Sequence, residues 1–428
     1  MSANKFWMLT SFLCTALLLG ACGNGEQGSE EAPKNKEPEV EETASAPEEN
    51  VEDAENGEKT PPDEEEAASA SDGETLNPYI EESTGGKSEV LYSNKEPGFV
   101  SDENGFKVTV DEYEIVKVTD MNQSNATRFN DSTTGYIISA LVSVDNQTGK
   151  PVYFNGTMNI RLQDEYTYVP SNSKDYIEDG KGLRPKGYEP GMDGNINMYE
   201  DGEQVSGLVT FRMSEDEYEM MKSVNPKFII ESSASHSEDF QGAGDFMTEK
   251  VFDFTYSGDH EESSAGAQSF YPDQLTTNNI ADKEMIFEKT DINTTEKIED
   301  TEITLEGVQY TTVIPTDGNE SRFEDVEMVA LTVKTKVKNN TDQDLTLFNL
   351  PAKVEIDRDR GYARNNGFAE PSKPDIVKPG EEAERYFVFL FRKDEFELFK
   401  TFKMEVGPFF GEKEYLFGEK TVTFDLPR

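Results

Sequence analysis

Tyr136-Ile-Ile-Ser-Ala-Leu-Val-Ser-Val-Asp-Asn-Gln-Thr-Gly149 is the stretch that decides the fold. Successive side chains of an extended chain point to opposite faces, so Tyr136, Ile138, Ala140, Val142 and Val144 share one face. Asp145 to Gly149 then supplies a turn. Phe106, Val108 and Val110 make a similar half-buried strand upstream, and the stretches around Val205–Met213, Phe228–Ile230 and Val251–Tyr256 repeat the pattern downstream. Many short strands with turns between them, and no regular helix after each strand, predict an antiparallel sandwich rather than an α/β sheet.

The same stretch returns later in the chain. Val144-Asp-Asn146-Gln-Thr148 matches Val337-Lys-Asn339-Asn-Thr341, and each is followed by an aromatic-Asn pair, Phe154-Asn155 and Phe348-Asn349. Gly202-Glu203, Phe211 and Asp216–Lys222 match Gly380-Glu381, Phe389 and Asp394–Lys400 in constant register, and Lys250–Phe254 returns loosely as Lys420–Phe424. The expectation is mainly all-β: two tandem immunoglobulin-like β-sandwich domains, 96–258 and 296–428. Residues 259–295 are read as a linker in which Ile280–Ile286 suits a short helix. The repeated Asp-Glu-aromatic-Glu-apolar-apolar-Lys block has acids first and base last, which complements a helix dipole. It predicts a helical turn crossing from one sheet to the other.

Upstream of the sandwiches, Lys5 precedes the apolar run Phe6–Leu19 and the small residues Gly20 and Ala21, the layout of a signal peptide over residues 1–21. The run is short for a helix that must cross about 30 Å of hydrocarbon. Cys14 lies inside it, which leaves Cys22 as the sole cysteine of a processed chain, so no disulfide is expected. Residues 22–95 are rich in Glu, Pro, Ala, Ser and Gly, with blocks such as Glu37–Glu42 and Asp63–Glu66. A segment of that composition buries too little apolar surface to offset its ordering entropy, and it reads as a disordered acidic tether. An acidic segment that captures a basic partner is the alternative reading.

With 87 acidic and 40 basic residues, the net charge is −47. Nucleic acid is therefore not expected as a partner, because phosphate backbones are bound through clustered Lys and Arg. Anionic headgroups would repel the chain, so its charge offers no means of holding it at a membrane.

Leu19-Gly20-Ala21-Cys22 resembles the lipobox of bacterial lipoproteins, in which the cysteine sulfur is lipidated. Lipobox, acidic tether and strands ending in Val-Asp-Asn-Gln-Thr or Val-Lys-Asn-Asn-Thr together resemble uncharacterised Gram-positive surface lipoproteins with immunoglobulin-like domains of unknown function. The resemblance implies lipidation at Cys22, attachment to the outer face of the cytoplasmic membrane and exposure to the cell wall or exterior. It carries no catalytic residue.

Chemistry is sparse. His236 and His260 are the only histidines, and both lie in polar stretches where solvated loop residues are expected, so neither a histidine-based triad nor a zinc site is predicted. Ser171-Asn-Ser-Lys174 fits a Ser-x-x-Lys pattern but follows Val-Pro in a polar loop, without a Lys-Thr-Gly strand to complete it. Paired carboxylates could serve glycoside hydrolysis, yet among so many acids such pairs arise without selection. Oxygen-rich loops at Glu189–Asn195 and Asp357–Arg360 are candidates for calcium, but neither follows the twelve-residue pattern, and the second is neutralised by its arginines. Tyr166, Tyr168, Tyr176 and Tyr188 suit a recognition face and ordinary strand positions equally. No catalytic, cofactor-binding or metal residue is assigned, and the oligomeric state is left open. The expected function is that of a non-enzymatic envelope module binding a protein, glycan or small ligand. The alternatives are a carboxylate-dependent wall-active hydrolase and a structural surface component.

Overall fold

Apolar residues at every second position of Phe106–Thr119 and Gly135–Asn146 are buried, and the two segments pair in an antiparallel ladder from Phe106↔Asn146 to Val118↔Gly135. A computed structural model describes this ladder and the rest of residues 75–428, save 189–195, 267, 359, 366, 373 and 412–413. The first sandwich contains β1 (Lys87–Asn94), β2 (Phe99–Glu103), β3 (Phe106–Thr119), β4 (Gly135–Asn146), β5 (Val152–Phe154), β6 (Met158–Arg161), β7 (Tyr168–Pro170), β8 (Met198–Tyr199), β9 (Gln204–Met213), β10 (Lys227–Ile230), β11 (Ala234–Ser235) and β12 (Lys250–Asp253). One sheet runs β1-β3-β4-β9 with β2 also on β3. The other runs β12-β10-β6-β7, and a short sheet β11-β5-β8 closes one end. Phe106, Tyr113, Phe154, Phe211, Phe228 and Phe254 fill the space between them.

The second sandwich repeats this order with β13 (Ala281–Lys289), β14 (Thr294–Ile298), β15 (Thr301–Pro315), β16 (Met328–Asn339), β17 (Leu345–Thr346), β18 (Ala352–Ile356), β19 (Gly361–Arg364), β20 (Ile376–Val377), β21 (Glu382–Arg392), β22 (Phe402–Val406), β23 (Leu416–Glu419) and β24 (Val422–Leu426). Its sheets are β13-β15-β16-β21 with β14 on β15, β19-β18-β22-β24, and the pair β17-β20. The expected tandem of antiparallel sandwiches is therefore present. Even the irregularities recur. β1 is bulged between Val90 and Tyr92, and β13 between Met285 and Phe287. β3 is bulged between Val110 and Glu112, and β15 between Leu305 and Gly307. A bulge re-aims its strand, so matched bulges give both sheets the same local twist.

Asn146 and Asn339 explain why Asn-x-Thr recurs. Both are 0% exposed. The Asn146 Nδ2 group donates to the carbonyls of Lys150 and Tyr199, while its Oδ1 accepts from the N–H and Oγ1 of Thr148. Asn339 makes the same set with Gln343, Val377 and Thr341. The crossing helix is also present. Glu215–Lys222, with a Ser214–Glu217 capping box, carries the chain from β9 in one sheet to β10 in the other, and the shorter Lys393–Phe396 does so from β21 to β22.

Three expectations are corrected. The first sandwich begins well before residue 96: the helix Tyr79–Thr84 seats Ile80 against Val116, Val118 and Ile137, and β1 forms a sheet edge. Scattered apolar residues on a half-exposed edge strand do not register as a strand in an acid-rich stretch. Residues 259–295 are not a plain linker, and Ile280–Ile286 is not helical. Gly258–Ala265 and Gln274–Thr277 are the helices there, and β13 pairs along β15. Lys283 occupies an inward position against Asp273, with both side chains 0% exposed, which breaks the apolar alternation. Last, Phe154 corresponds in space to buried Leu347 and not to Phe348, since Val152↔Tyr199 and Leu345↔Val377 are equivalent pairs. Phe348 is left 69% exposed.

The sandwiches meet at the end of β6 and the turn after it, and at the segment between the crossing helix and β10. Arg161 donates to the Thr277 carbonyl and to Asn278 Oδ1, Asn279 Nδ2 donates to the Leu162 carbonyl, and Asn225 donates to Asp282. Cys22, the signal sequence and residues 22–74 of the expected tether lie outside the described residues. Among the described residues no helix is long and apolar enough to cross a membrane.

Candidate binding cleft

The two sandwiches differ most in one connection. Between β7 and β8 the chain takes the path from Ser171 to Asn197, more than twice as long as Asn365–Asp375 between β19 and β20. Long connections on a rigid scaffold are where binding residues concentrate. The part of this one from Asn172 to Leu183 is laid along the edge of β9. Asn172 and Thr210 exchange both main-chain hydrogen bonds at 2.8 and 2.7 Å, Leu208 N–H donates to Lys181 at 2.8 Å, and Leu183 N–H donates to Leu208 at 3.0 Å. Gly207 permits the approach, because a Cβ there would stand 2.6 Å from the Leu183 main chain. The equivalent position in the second sandwich is Arg385, whose buried guanidinium donates to the Glu370 carbonyl of the shorter connection instead of leaving room for a main chain. Asn77 Nδ2 donates to the Tyr176 carbonyl at 3.0 Å and to Ser139 Oγ at 3.0 Å, which ties the start of the domain to this loop.

Between the loop and the first residues of β9 lies a cleft of about 780 Å³. Its loop wall carries Ser173, Lys174, Ile177, Glu178, Asp179, Arg184, Pro185, Lys186 and Tyr188, and its floor is Gln204, Val205 and Ser206. Arg184 lies 5.2 Å over the Tyr188 ring, a cation–π contact. Glu203 is fixed behind the floor, where its carboxylate accepts from the main-chain N–H groups of Glu200 and Lys186. Among the described residues Lys174, Arg184 and Lys186 have no carboxylate partner, although ion pairs are plentiful elsewhere. Other described cations also lack an ion pair; what marks these three is that they share one cleft in a chain of net charge −47. Glu178 and Asp179 stand opposite on a turn closed by Lys181 N–H to the Glu178 carbonyl. The site can therefore hold a ligand by charge, by stacking on Tyr188 and by main-chain hydrogen bonds. Among the described residues that line it there is no histidine or cysteine.

The residues singled out in the sequence are dispersed. Ser171 Oγ donates to the Gly156 carbonyl and accepts from Met158 N–H, a structural role, whereas Lys174 reaches the cleft. Tyr188 lines the cleft, Tyr176 is buried, and Tyr166 on the β6–β7 turn and Tyr168 at the start of β7 are exposed, so the four tyrosines form no single face. His236 is exposed, as expected. His260 is not a loop residue: it sits in the helix Gly258–Ala265, stacked 4.2 Å from the Tyr256 ring centroid, with burial pushing its imidazole below the ordinary value. Glu189–Asn195 lies outside the described residues. Asp357 is engaged by the N–H groups of Lys400 and Thr401 and by Arg360, which holds its carboxyl below the usual range and leaves little for calcium. Among the described residues no cluster of three or more His, Cys, Asp or Glu could hold a metal ion. Gly207, Arg184 and Lys186 were not singled out in the sequence. The signal was there in Lys181, Arg184 and Lys186, three bases with no acid among residues 180–188 of an acidic chain.

Residues 63–257 match the family model described as Domain of unknown function (DUF5068). The match covers the first sandwich, and it begins upstream of residue 96. No curated protein matches the chain. Among solved structures, a functionally unknown protein from Listeria monocytogenes EGD-e is similar at 18% identity over 41% of this chain and 91% of that one, with a TM-score of 0.34. An uncharacterized beta-sandwich protein from Clostridium difficile 630 is similar at 14% identity over 32% of this chain and 91% of that one, with a TM-score of 0.22.

Proposed function

We propose that the protein is a lipid-anchored, non-catalytic binding module of the cell envelope, held at the outer face of the membrane through Cys22 and recognising its ligand in the cleft of the first sandwich. The observation that carries the binding role is the long Ser171–Asn197 connection, whose described part gathers three cations, none ion-paired among the described residues, beside β9 where the second sandwich has only a short link. Duplicated sandwiches diverge freely in their connections while keeping their cores, so the connection that grew is the one to assign to function. The lipobox supports the anchoring, and the acid-rich segment behind it gives the sandwiches reach.

Retention of envelope material by the immobilised full chain tests the binding role, with Lys174→Glu, Arg184→Glu and Lys186→Glu combined as the comparison. The native cleft should retain a ligand that the triple variant releases. Equal retention by both forms, or none by either at low salt, overturns it. For the anchor, Cys22→Ser should shift the protein from the membrane fraction to the medium or leave it unprocessed. A lipidated Cys22→Ser product would contradict the assignment.

A further inference from the structure

We propose that the cleft takes an extended, carboxylate-bearing segment of a second protein as an added strand along Gln204–Ser206 of β9. This deepens the cleft reading and rests on it. β9 is the last strand of its sheet. Its outward main-chain groups at Leu208 and Thr210 are taken by the loop, through Lys181, Leu183 and Asn172. Main-chain direction repeats every second residue in a strand, so Ser206 and Gln204 point the same way, into the cleft. There the loop has left the edge: Lys186 N–H turns to the Glu203 side chain. The Ser206 and Gln204 N–H and C=O groups consequently have no partner on that side among the described residues.

The second sandwich shows how such an edge is normally guarded. At the positions equivalent to Gln204 and Ser206 stand Glu382 and Glu384, drawn into ion pairs with Lys336 and Lys334, and further along Val388 N–H is taken by Asn365 Oδ1. Charged side chains on an edge strand deter the pairing of another strand. The first sandwich has neutral Gln and Ser there, with Lys174, Arg184 and Lys186 alongside. Main-chain donors and acceptors at strand spacing recognise another peptide's main chain, and the cations select carboxylates within it. A sugar offers no matching ladder.

Calorimetry on the full chain tests this with a synthetic peptide of alternating glutamate and valine as the probe. Two further forms of the peptide are N-methylated, one on the amides that would face β9 and the other on the alternate set. The unmodified peptide should bind, more weakly as salt rises. Methylation in the facing register should weaken binding about tenfold or more, the scale of one or two lost hydrogen bonds, while the alternate register leaves it unchanged. Ser206→Pro, which removes an N–H the sheet does not use, should match the facing methylation without altering the melting temperature. Equal effects from both registers overturn strand addition, because the peptide is then held by charge alone. Absence of peptide binding, while the triple variant still releases an envelope ligand, overturns the peptide assignment and leaves the cleft reading standing.

Discussion

At the scale of single residues, the buried asparagines Asn146 and Asn339 do the most to define this fold. Each side chain bonds one turn to the neighbouring strand segment, and each is fully enclosed. Truncation takes the side-chain donor from the Tyr199 or Val377 carbonyl and the acceptor from the Thr148 or Thr341 N–H, and each unsatisfied buried group costs about 1–3 kcal/mol. Asn146→Ala and Asn339→Ala should each lower stability by about 2–4 kcal/mol in urea titration. Aspartate should not rescue either, because the amide's donors are what the carbonyls need. A loss below about 0.5 kcal/mol, within the range of an ordinary surface change, would show that the turns form without them. Asn-x-Thr stood out in the sequence because it was repeated, but only the enclosed geometry tells why: the motif is structural, and it marks no ligand site.

At the scale of elements, strands with one clean apolar face were legible, and strands at edges were not. β4 announces itself by Tyr136, Ile138, Ala140, Val142 and Val144, and its additional Ile137 is explained by Ile80 and Phe129 packing on the opposite face. β1 and β13 were hidden, the first among acids and the second by Lys283 in an inward position. The aromatic-Asn pairs misled by one residue, because Phe348 copies the type of Phe154 while Leu347 copies its place in the core. The laying of the Ser171–Asn197 connection on β9 was illegible, since it depends on Gly207, whose importance appears only when another main chain approaches. β1 pairs with β3 along seven residue pairs, from Lys87↔Thr119 to Asn94↔Tyr113. A chain starting at residue 96 should therefore melt in two steps, with the first sandwich destabilised relative to a chain starting at residue 75. Coincident melting of the two truncations would remove β1 from the folded unit.

At the scale of the whole molecule, the sandwiches are joined by a polar seam beside which His260 stacks on Tyr256 and faces Asn225 across 3.4 Å. Asp253 favours its protonated form and Lys227 opposes it, but burial dominates and lowers its pKa. The unfolded chain takes up a proton near pH 6.5, whereas the folded one does so only at lower pH. Between those values the unfolded state binds more protons, so this group's contribution to stability falls as pH falls. His260→Gln should remove that component, so the native protein's urea midpoint should fall relative to the variant's as pH drops below about 6.5. Parallel midpoints across that range would place the imidazole in solvent.

Duplication gave the molecule two equivalent scaffolds, and the proposed binding role rests on the difference between them. The most direct measurement is an exchange of connections: residues 171–197 replaced by residues 365–375 in the full chain, with retention of envelope ligand and the melting temperature both recorded. The account predicts that both sandwiches still fold and that the ligand is no longer retained. A folded variant that holds its ligand as well as the native chain would contradict it.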